Sequence, residues 1–299
     1  MRGMADLAAD FLQGMVCALM KPDPDMLARE LTICADDYGL TQAVSAGILE
    51  AVEAGRLHAT GAMTTRPFWK TGAGDLASLS GAVEVGLHLD LTLGPPLTSM
   101  PILAPRGKLP SIGTLIRMSQ AGRLPEAEIR AEIAAQIDAF GEHYGRAPAF
   151  IDGHQHVHML PGVRDWLFEA AAARGLSGKI WIRDSADRFS RILKRGVEAP
   201  KAMIVTLAGR GFGQAARARG FVTNEGFSGY SAFDPRRDYA KDFARFLIAP
   251  GPRQLVMCHP GRVDFDLEQI DPATYSREQE LEFLLSDRFA DIIAARPKS

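Results

Sequence analysis

The sequence predicts an α/β protein built as a parallel sheet or barrel, on three observations. Short apolar runs alternate with amphipathic helical segments along most of the 299 residues, the pattern of repeated strand–helix units. Asp36, Asp37, His88, His154 and His259 each fall at or just past the C-terminal end of a strand candidate. In a (β/α) barrel that face carries the chemistry. No internal repeat, low-complexity tract or linker breaks the pattern, so residues 31–299 read as one domain behind an N-terminal helical extension, residues 1–30.

Each element has its own signal. In the extension, Leu7, Phe11, Met15 and Leu19 recur at helical spacing while Asp6, Asp10 and Gln13 are polar. This amphipathic helix suits packing on its own domain or on a sister subunit, hence a homodimer; its acids, without lysines, disfavour a membrane surface. Leu31 to Ala35 is a buried strand ending at Asp36 and Asp37, and Val44, Ile48 and Val52 mark the following helix, closed by Gly55. Strands are expected over 57–63 and 83–89, the second carrying His88. Residues 92–124, with Pro95, Pro96, Pro101, Pro105 and Pro110, read as one long excursion of the kind that serves as a lid. Pro125 opens a helix to about Tyr144 with Ile129, Ile133, Ile137 and Phe140 on one face. Phe150-Ile151 leads into a histidine cluster, and a helix runs from Pro161 to about Arg174. Strands over 179–183 and 254–258 follow, and Ser276 with Gln279 reads as the capping box of a final helix.

Composition excludes several classes. A 46% apolar and 23% charged chain is an ordinary globular one, and its net charge of -2 gives no reason to expect nucleic acid. Cys17, Cys34 and Cys258 form neither a CxxC site nor a disulfide framework, which suits a reducing compartment. No apolar run approaches the roughly 18 residues of a transmembrane helix, and residues 1–30 lack a basic region followed by a long apolar stretch, so a secretory signal is not expected. A cytoplasmic location is therefore expected.

The chemistry lies in the histidines and acids. Three of the seven histidines, His154, His156 and His158, fall within five residues of Asp152-Gly153-His154-Gln155-His156-Val157-His158. Histidine and carboxylate are the ligand types of a hydrolytic divalent metal. If this segment is extended, Asp152, His154, His156 and His158 share one side; if it turns after His154, only one of them faces a metal. Those that do not ligate are structural or support a ligand from behind. Asp36-Asp37 reads as a metal carboxylate beside a catalytic base, with the plain alternative of a solvated helix cap. His88, which taken alone reads as a satisfied buried histidine after an apolar run, gains a second reading beside these residues as the second imidazole of an Asp-His-His site. His259, distant in sequence, is free to act as an acid, since its ordinary pKa lies near working pH. Arg183 belongs to a basic stretch, residues 179–219, which is either a solvated surface or a contact for an anionic part of a substrate. Trp69, Trp166 and Trp181 read as core side chains that are also able to stack on sugar rings.

Four motifs, Ala35-Asp36-Asp37-Tyr38-Gly39-Leu40, Gly86-Leu87-His88-Leu89, Asp152 to Met159 and Met257-Cys258-His259-Pro260, resemble in order those of the YdjC-like (ChbG/HpnK) carbohydrate deacetylase family. The resemblance covers roughly residues 31–262. It implies a distorted (β/α) barrel of the glycoside hydrolase/deacetylase type that removes acetyl groups from N-acetylated sugars with a divalent metal, Mg2+ or Zn2+. By the same resemblance Asp37, His88 and His154 hold the metal, Asp36 is the base that activates water, and His259 is the acid or transition-state stabiliser. Asp152, His156, His158 and Arg183 are then supporting or substrate-contacting residues. Asp152-Gly153 and Gln155 depart from the Asn-Ala-His-Lys-His-Phe-His cluster of the hopanoid-associated branch, which favours a chitooligosaccharide-like substrate. The alternatives are another metal-dependent amidohydrolase or a non-catalytic carbohydrate-binding barrel. The first normally carries its His-x-His on the first strand, and the second would show a broken ligand set.

Overall fold

The structure, a computed structural model, describes residues 29–296 except Ser80 and Pro235; the helix expected over residues 5–20 lies outside them. Seven strands form one parallel sheet: β1 (Leu31–Tyr38), β2 (Ala59–Ala62), β3 (Glu84–Leu89), β4 (Phe150–Gly153), β5 (Trp181–Ile182), β6 (Gly226–Ser228) and β7 (Gln254–Cys258). Their spatial order is β5-β4-β3-β2-β1-β7-β6. β1 is buried along its whole length, as a strand covered on both faces must be. Its register with β7, Leu31 opposite Gln254 through Ala35 opposite Cys258, brings Asp36 level with His259 at the sheet's C-terminal edge. Likewise His88 on β3 lies opposite Asp152 on β4.

The sheet curls until the chain leading into β6 meets β5. Val222 bridges Trp181, and the Ile182 N–H donates to the Val222 carbonyl at 2.9 Å. The result is the expected barrel, distorted because β5 has two residues and the ring has seven strands.

The helices are α1 (Gln42–Glu53), α2 (Trp69–Ser78), α3 (Ile112–Gln120), α4 (Glu126–Tyr144), α5 (Val163–Ala173), α6 (Phe189–Arg195), α7 (Ala199–Ala208), α8 (Phe212–Ala218), α9 (Tyr239–Phe246), α10 (Phe265–Ile270), α11 (Tyr275–Leu285) and α12 (Asp287–Ala294). Thr41 caps α1, its Oγ1 accepting from the Val44 N–H at 3.2 Å. α4 starts after Pro125, buries Ile129, Ile133, Ile137 and Phe140, and ends at Gly145 with φ 81°. Trp69 and Trp181 are core side chains, their indole N–H groups donating to Ala139 O and Glu84 Oε2.

Two expectations need correction. The 92–124 excursion is not one open loop: it contains α3, and α4 holds it down. Glu132 accepts from the Leu97 and Thr98 N–H groups at 3.0 and 2.8 Å, and Glu128 from Ile102 and Leu103 at 2.8 Å each. Nor is Ser276 a cap. Thr274 precedes α11, and Ser276 is buried in its first turn, because the chain turns into the helix two residues earlier than the capping-box spacing requires.

Candidate active site

Asp36 and Asp37 end β1, and simple strand alternation would send them to opposite sides. The backbone prevents this. Asp37 has φ 73°, and the β1–β2 register shifts between Ala35 and Tyr38. A left-handed non-glycine residue costs roughly 1–2 kcal/mol, and such strain gathers at functional sites. Both carboxylates therefore turn into the mouth of the barrel, buried to 2% and 1% exposure.

Asp37 meets two imidazoles. Its Oδ1 lies 3.0 Å from His154 Nδ1 and 3.4 Å from His88 Nε2. One ligand-type atom from each of Asp37, His88 and His154 falls within 4.8 Å of the others. The second Asp37 oxygen accepts from Arg277 Nη2 at 2.6 Å. Burial raises the Asp37 pKa, but Arg277 and then His154 outweigh it and hold the carboxyl well below its ordinary range. Asp152 Oδ1 sits 2.6 Å from His88 Nδ1. Burial acts to lower the His88 pKa, but Asp152 and then Asp36 outweigh burial and raise that pKa well above its ordinary value. With Nδ1 held by Asp152, Nε2 is the nitrogen left to ligate an ion in place of its proton. An anionic oxygen and two convergent imidazoles, the first supported from behind, are a donor set that can hold a divalent metal with a position left open.

Asp36 is held apart from this group. Arg183, fully buried, clamps it from two nitrogens at 2.7 and 2.5 Å, also bridges to Asp152, and donates to Cys34 Sγ at 3.0 Å. Burial raises the Asp36 pKa and outweighs the opposing pull of Arg183 and His88. Cys34, Asp36 and Asp152 also lie within metal-ligand reach of one another. The Arg183 guanidinium already sits among that group as its cation, and burial keeps the Cys34 thiol protonated. Arg183 is thus a fully buried residue that organises these carboxylates.

His259 Nε2 lies 4.0 Å from Asp36 Oδ2 on the solvent side. Its backbone N–H donates to Glu280 at 2.6 Å, and its ring stands edge-on to Phe233 at 5.0 Å. Burial pushes the imidazole well below its ordinary pKa. Burial also raises Glu280, to about 7.

The chain turns after His154, the second of the two arrangements the sequence allowed. β4 ends at Gly153, and His154–Met159 coils into a short 3-10 segment with Gln155 and His156 at φ 52° and 60°. His154 alone faces Asp37. His158 is buried, its Nε2 2.9 Å from the Arg183 carbonyl, and burial lowers its pKa to about 4. His156 packs on Phe227 and Tyr230 at 5.9 and 5.4 Å. Sequence reasoning missed Arg277, Glu280 and Phe233. Arg277 lies 240 positions from the aspartate it holds, so no local pattern announces it.

Fold and site together define a parallel (β/α)-barrel protein with an Asp-His-His cluster at its mouth. The chain belongs to the YdjC-like protein family, whose profile matches residues 30–295. It is 31% identical over 280 residues to a chitooligosaccharide deacetylase of Escherichia fergusonii, covering 90% of this chain and 96% of that one. A chitooligosaccharide deacetylase of Salmonella schwarzengrund is 32% identical over 278 residues, with the same coverage. Among solved structures, an Enterococcus faecalis V583 protein named for cellobiose-phosphate cleavage superposes with a TM-score of 0.64 at 22% identity. That match spans 88% of this chain and 93% of the other and shares the fold.

Proposed function

We propose that this protein is a carbohydrate deacetylase, a metal-dependent hydrolase that removes the acetyl group from an N-acetylated amino sugar or oligosaccharide. The observation that carries this reading is the pairing of two sites in one mouth. Asp37, His88 and His154 converge, while the adjacent Asp36 is kept out of that cluster by Arg183. The relatives named chitooligosaccharide deacetylase, aligned over nearly their full length, supply the substrate class.

In this reading Asp37 Oδ1, His88 Nε2 and His154 Nδ1 hold a divalent ion, Mg2+ or Zn2+, and the two imidazoles favour zinc. When bound, the ion polarises the acetamide carbonyl and makes water easier to deprotonate. Asp36 takes the proton of the attacking water, and its raised pKa makes it a stronger base than an ordinary aspartate. Arg183 fixes the carboxylate while leaving Asp36 directed at the mouth. His259, neutral at rest, donates a hydrogen bond to the developing oxyanion. Once it gains the proton taken up by Asp36, 4.0 Å away, it protonates the departing amine as the C–N bond breaks. Asp152 acts behind His88, and His158 holds the turn through the Arg183 carbonyl. Residues 31–299 act as one unit in this scheme. The buried free thiols of Cys34 and Cys258 suit the reducing cytoplasm, where we place the protein.

The test is acetate release from diacetylchitobiose and other N-acetylated sugars, with and without chelator. Release that the chelator stops and added metal restores is the expected result. Release that survives full metal removal overturns the metal-dependent reading, and no release from any acetylated sugar overturns the substrate class.

A further inference from the structure

Helices α6 and α7 carry an outward-facing combination that the proposed reaction does not use. Phe189 and Leu193 stand one turn apart on α6, and Ile204 and Leu207 one turn apart on α7. These spacings put each pair on one face of its helix. Leu193, Ile204 and Leu207 are 62%, 67% and 60% exposed, and Phe189 43%. They are four of the nine exposed large hydrophobic side chains among the described residues, gathered between positions 189 and 207. Within α7 only Ala202 is buried, although Met203, Ile204, Val205 and Leu207 are all apolar. A helix apolar nearly all round belongs in a core or against another apolar phase. Ile192 of α6 and Ala202 of α7 share one small core cluster, so the two stripes lie on neighbouring helices.

The charge around these stripes has one sign. From Arg188 to Arg219 the chain holds eight basic residues and one acid, Glu198. Arg191 and Arg195 pair with Asp187, Arg217 with Thr223 and Arg219 with Asp165. Arg188, Lys194 and Arg210 are exposed, and among the described residues their side chains have no partner. The same helices border the barrel mouth. The Lys201 ammonium lies 5.0 Å over the Phe233 ring, whose centroid is 5.0 Å from that of His259. At the other end of α7, Gly209 lies directly against Met159 of the histidine segment.

We propose that the α6–α7 face docks on an anionic lipid bilayer. Phe189, Leu193, Ile204 and Leu207 enter the boundary of the acyl chains, and Arg188, Lys194 and Arg210 meet lipid phosphates. Charge selects this occupant over a second copy of the chain. A two-fold contact sets the same patch against itself, which here sets three unpaired cations against three, with Glu198 the one carboxylate of the 188–219 stretch to answer them. Docking through this face brings the mouth beside the membrane. The inference rests on the exposed surface alone and does not depend on which sugar is deacetylated.

The test is co-sedimentation of the full chain with phosphatidylglycerol–phosphatidylcholine vesicles and with phosphatidylcholine vesicles, at low and high salt. Binding to the anionic vesicles that weakens at high salt is expected. The triple substitution Leu193→Ser, Ile204→Ser and Leu207→Ser should weaken it by roughly tenfold or more, with an unchanged thermal unfolding curve and unchanged acetate release from a soluble sugar. Because binding and acetate release are read separately, failure of the docking surface is distinguishable from failure of the deacetylase reading. Absence of binding to anionic vesicles at low salt overturns the proposal. So does equal binding by the triple variant. A concentration-dependent dimer that the variant loses, without vesicle binding, assigns the face to a second copy and overturns it as well.

Discussion

Asp36 and Asp37 are chain neighbours with opposite electrostatic surroundings. Asp37 is held low by Arg277 and His154 against burial, whereas burial raises Asp36 despite Arg183. In the proposed reaction one therefore stays an anion for coordination, and the other serves as the base. Asp36→Asn keeps the shape but loses the proton acceptor, so kcat should fall by about 10²–10⁴-fold. Metal content, measured by elemental analysis, should match that of the unsubstituted protein; near-normal turnover would remove Asp36 from the role of base. Arg183 makes a different prediction because it sits among buried anions. Arg183→Met leaves Asp36 and Asp152 without their cation, and breaking a buried ion pair from one side costs about 3–5 kcal/mol. Urea unfolding reads this directly, and a midpoint equal to that of the unsubstituted protein would contradict the clamp.

At the scale of elements, the site depends on loops that follow strands and on helices that fix those loops. The segment after His259 is one case. The Arg262 N–H donates to the Ala43 carbonyl of α1 at 3.2 Å, and the Gly261 N–H to the Arg277 carbonyl at 3.2 Å. This is possible because Gly47 on α1 has no side chain. A Cβ there would lie 2.8 Å from Gly261 Cα and 2.9 Å from Arg262 N. Gly47→Ala must push α1 and the loop apart, an overpacking cost of about 1–3 kcal/mol. It should also lower kcat more than it raises KM, since the displaced loop carries His259. Steady-state kinetics and thermal unfolding on the same preparation check both parts, and an unperturbed variant would show that the contact yields without cost.

At the scale of the molecule, the two ends of the barrel divide the work, chemistry at the C-terminal end of the strands and stability at the other. His58 belongs to the second. Its Nδ1 accepts from the Ile33 N–H at 3.0 Å, and burial, with Arg29 and Arg296, lowers its pKa to about 4. Unfolded, the ring titrates near 6.5. The folded pKa is the lower one, so this stabilising contribution is complete above about pH 6.5 and is lost as pH falls through about 4. His58→Gln removes the titration. The melting temperature of the unsubstituted protein should therefore drop more between pH 6.5 and 4 than that of the variant; parallel curves would mean that His58 does not contribute to acid unfolding.

The sequence by itself determined that strands alternate with helices and that five polar residues end strands. Both follow from local signals: apolar runs for buried strands, 3.6-residue periodicity for helices, and a polar side chain where an apolar run stops. Asp36, Asp37, His88, His154 and His259 were legible for that reason, and Ala35-Asp36-Asp37 and Met257-Cys258-His259-Pro260 could be matched to known motifs. β5 was read as a strand over 179–183, longer than its two residues, whereas the three-residue β6 and the helices α6 to α8 carried too little periodicity to be read. Only the tertiary structure decided which atoms face one another. The left-handed Asp37 turned two adjacent acids to the same side, and the turn after His154 sent His156 and His158 away from it. Arg183 became a buried clamp instead of a surface cation, and Arg277 reached Asp37 from the far end of the chain. Those outcomes depend on burial and on distances across the barrel, which pair residues hundreds of positions apart and leave no periodic trace in the sequence.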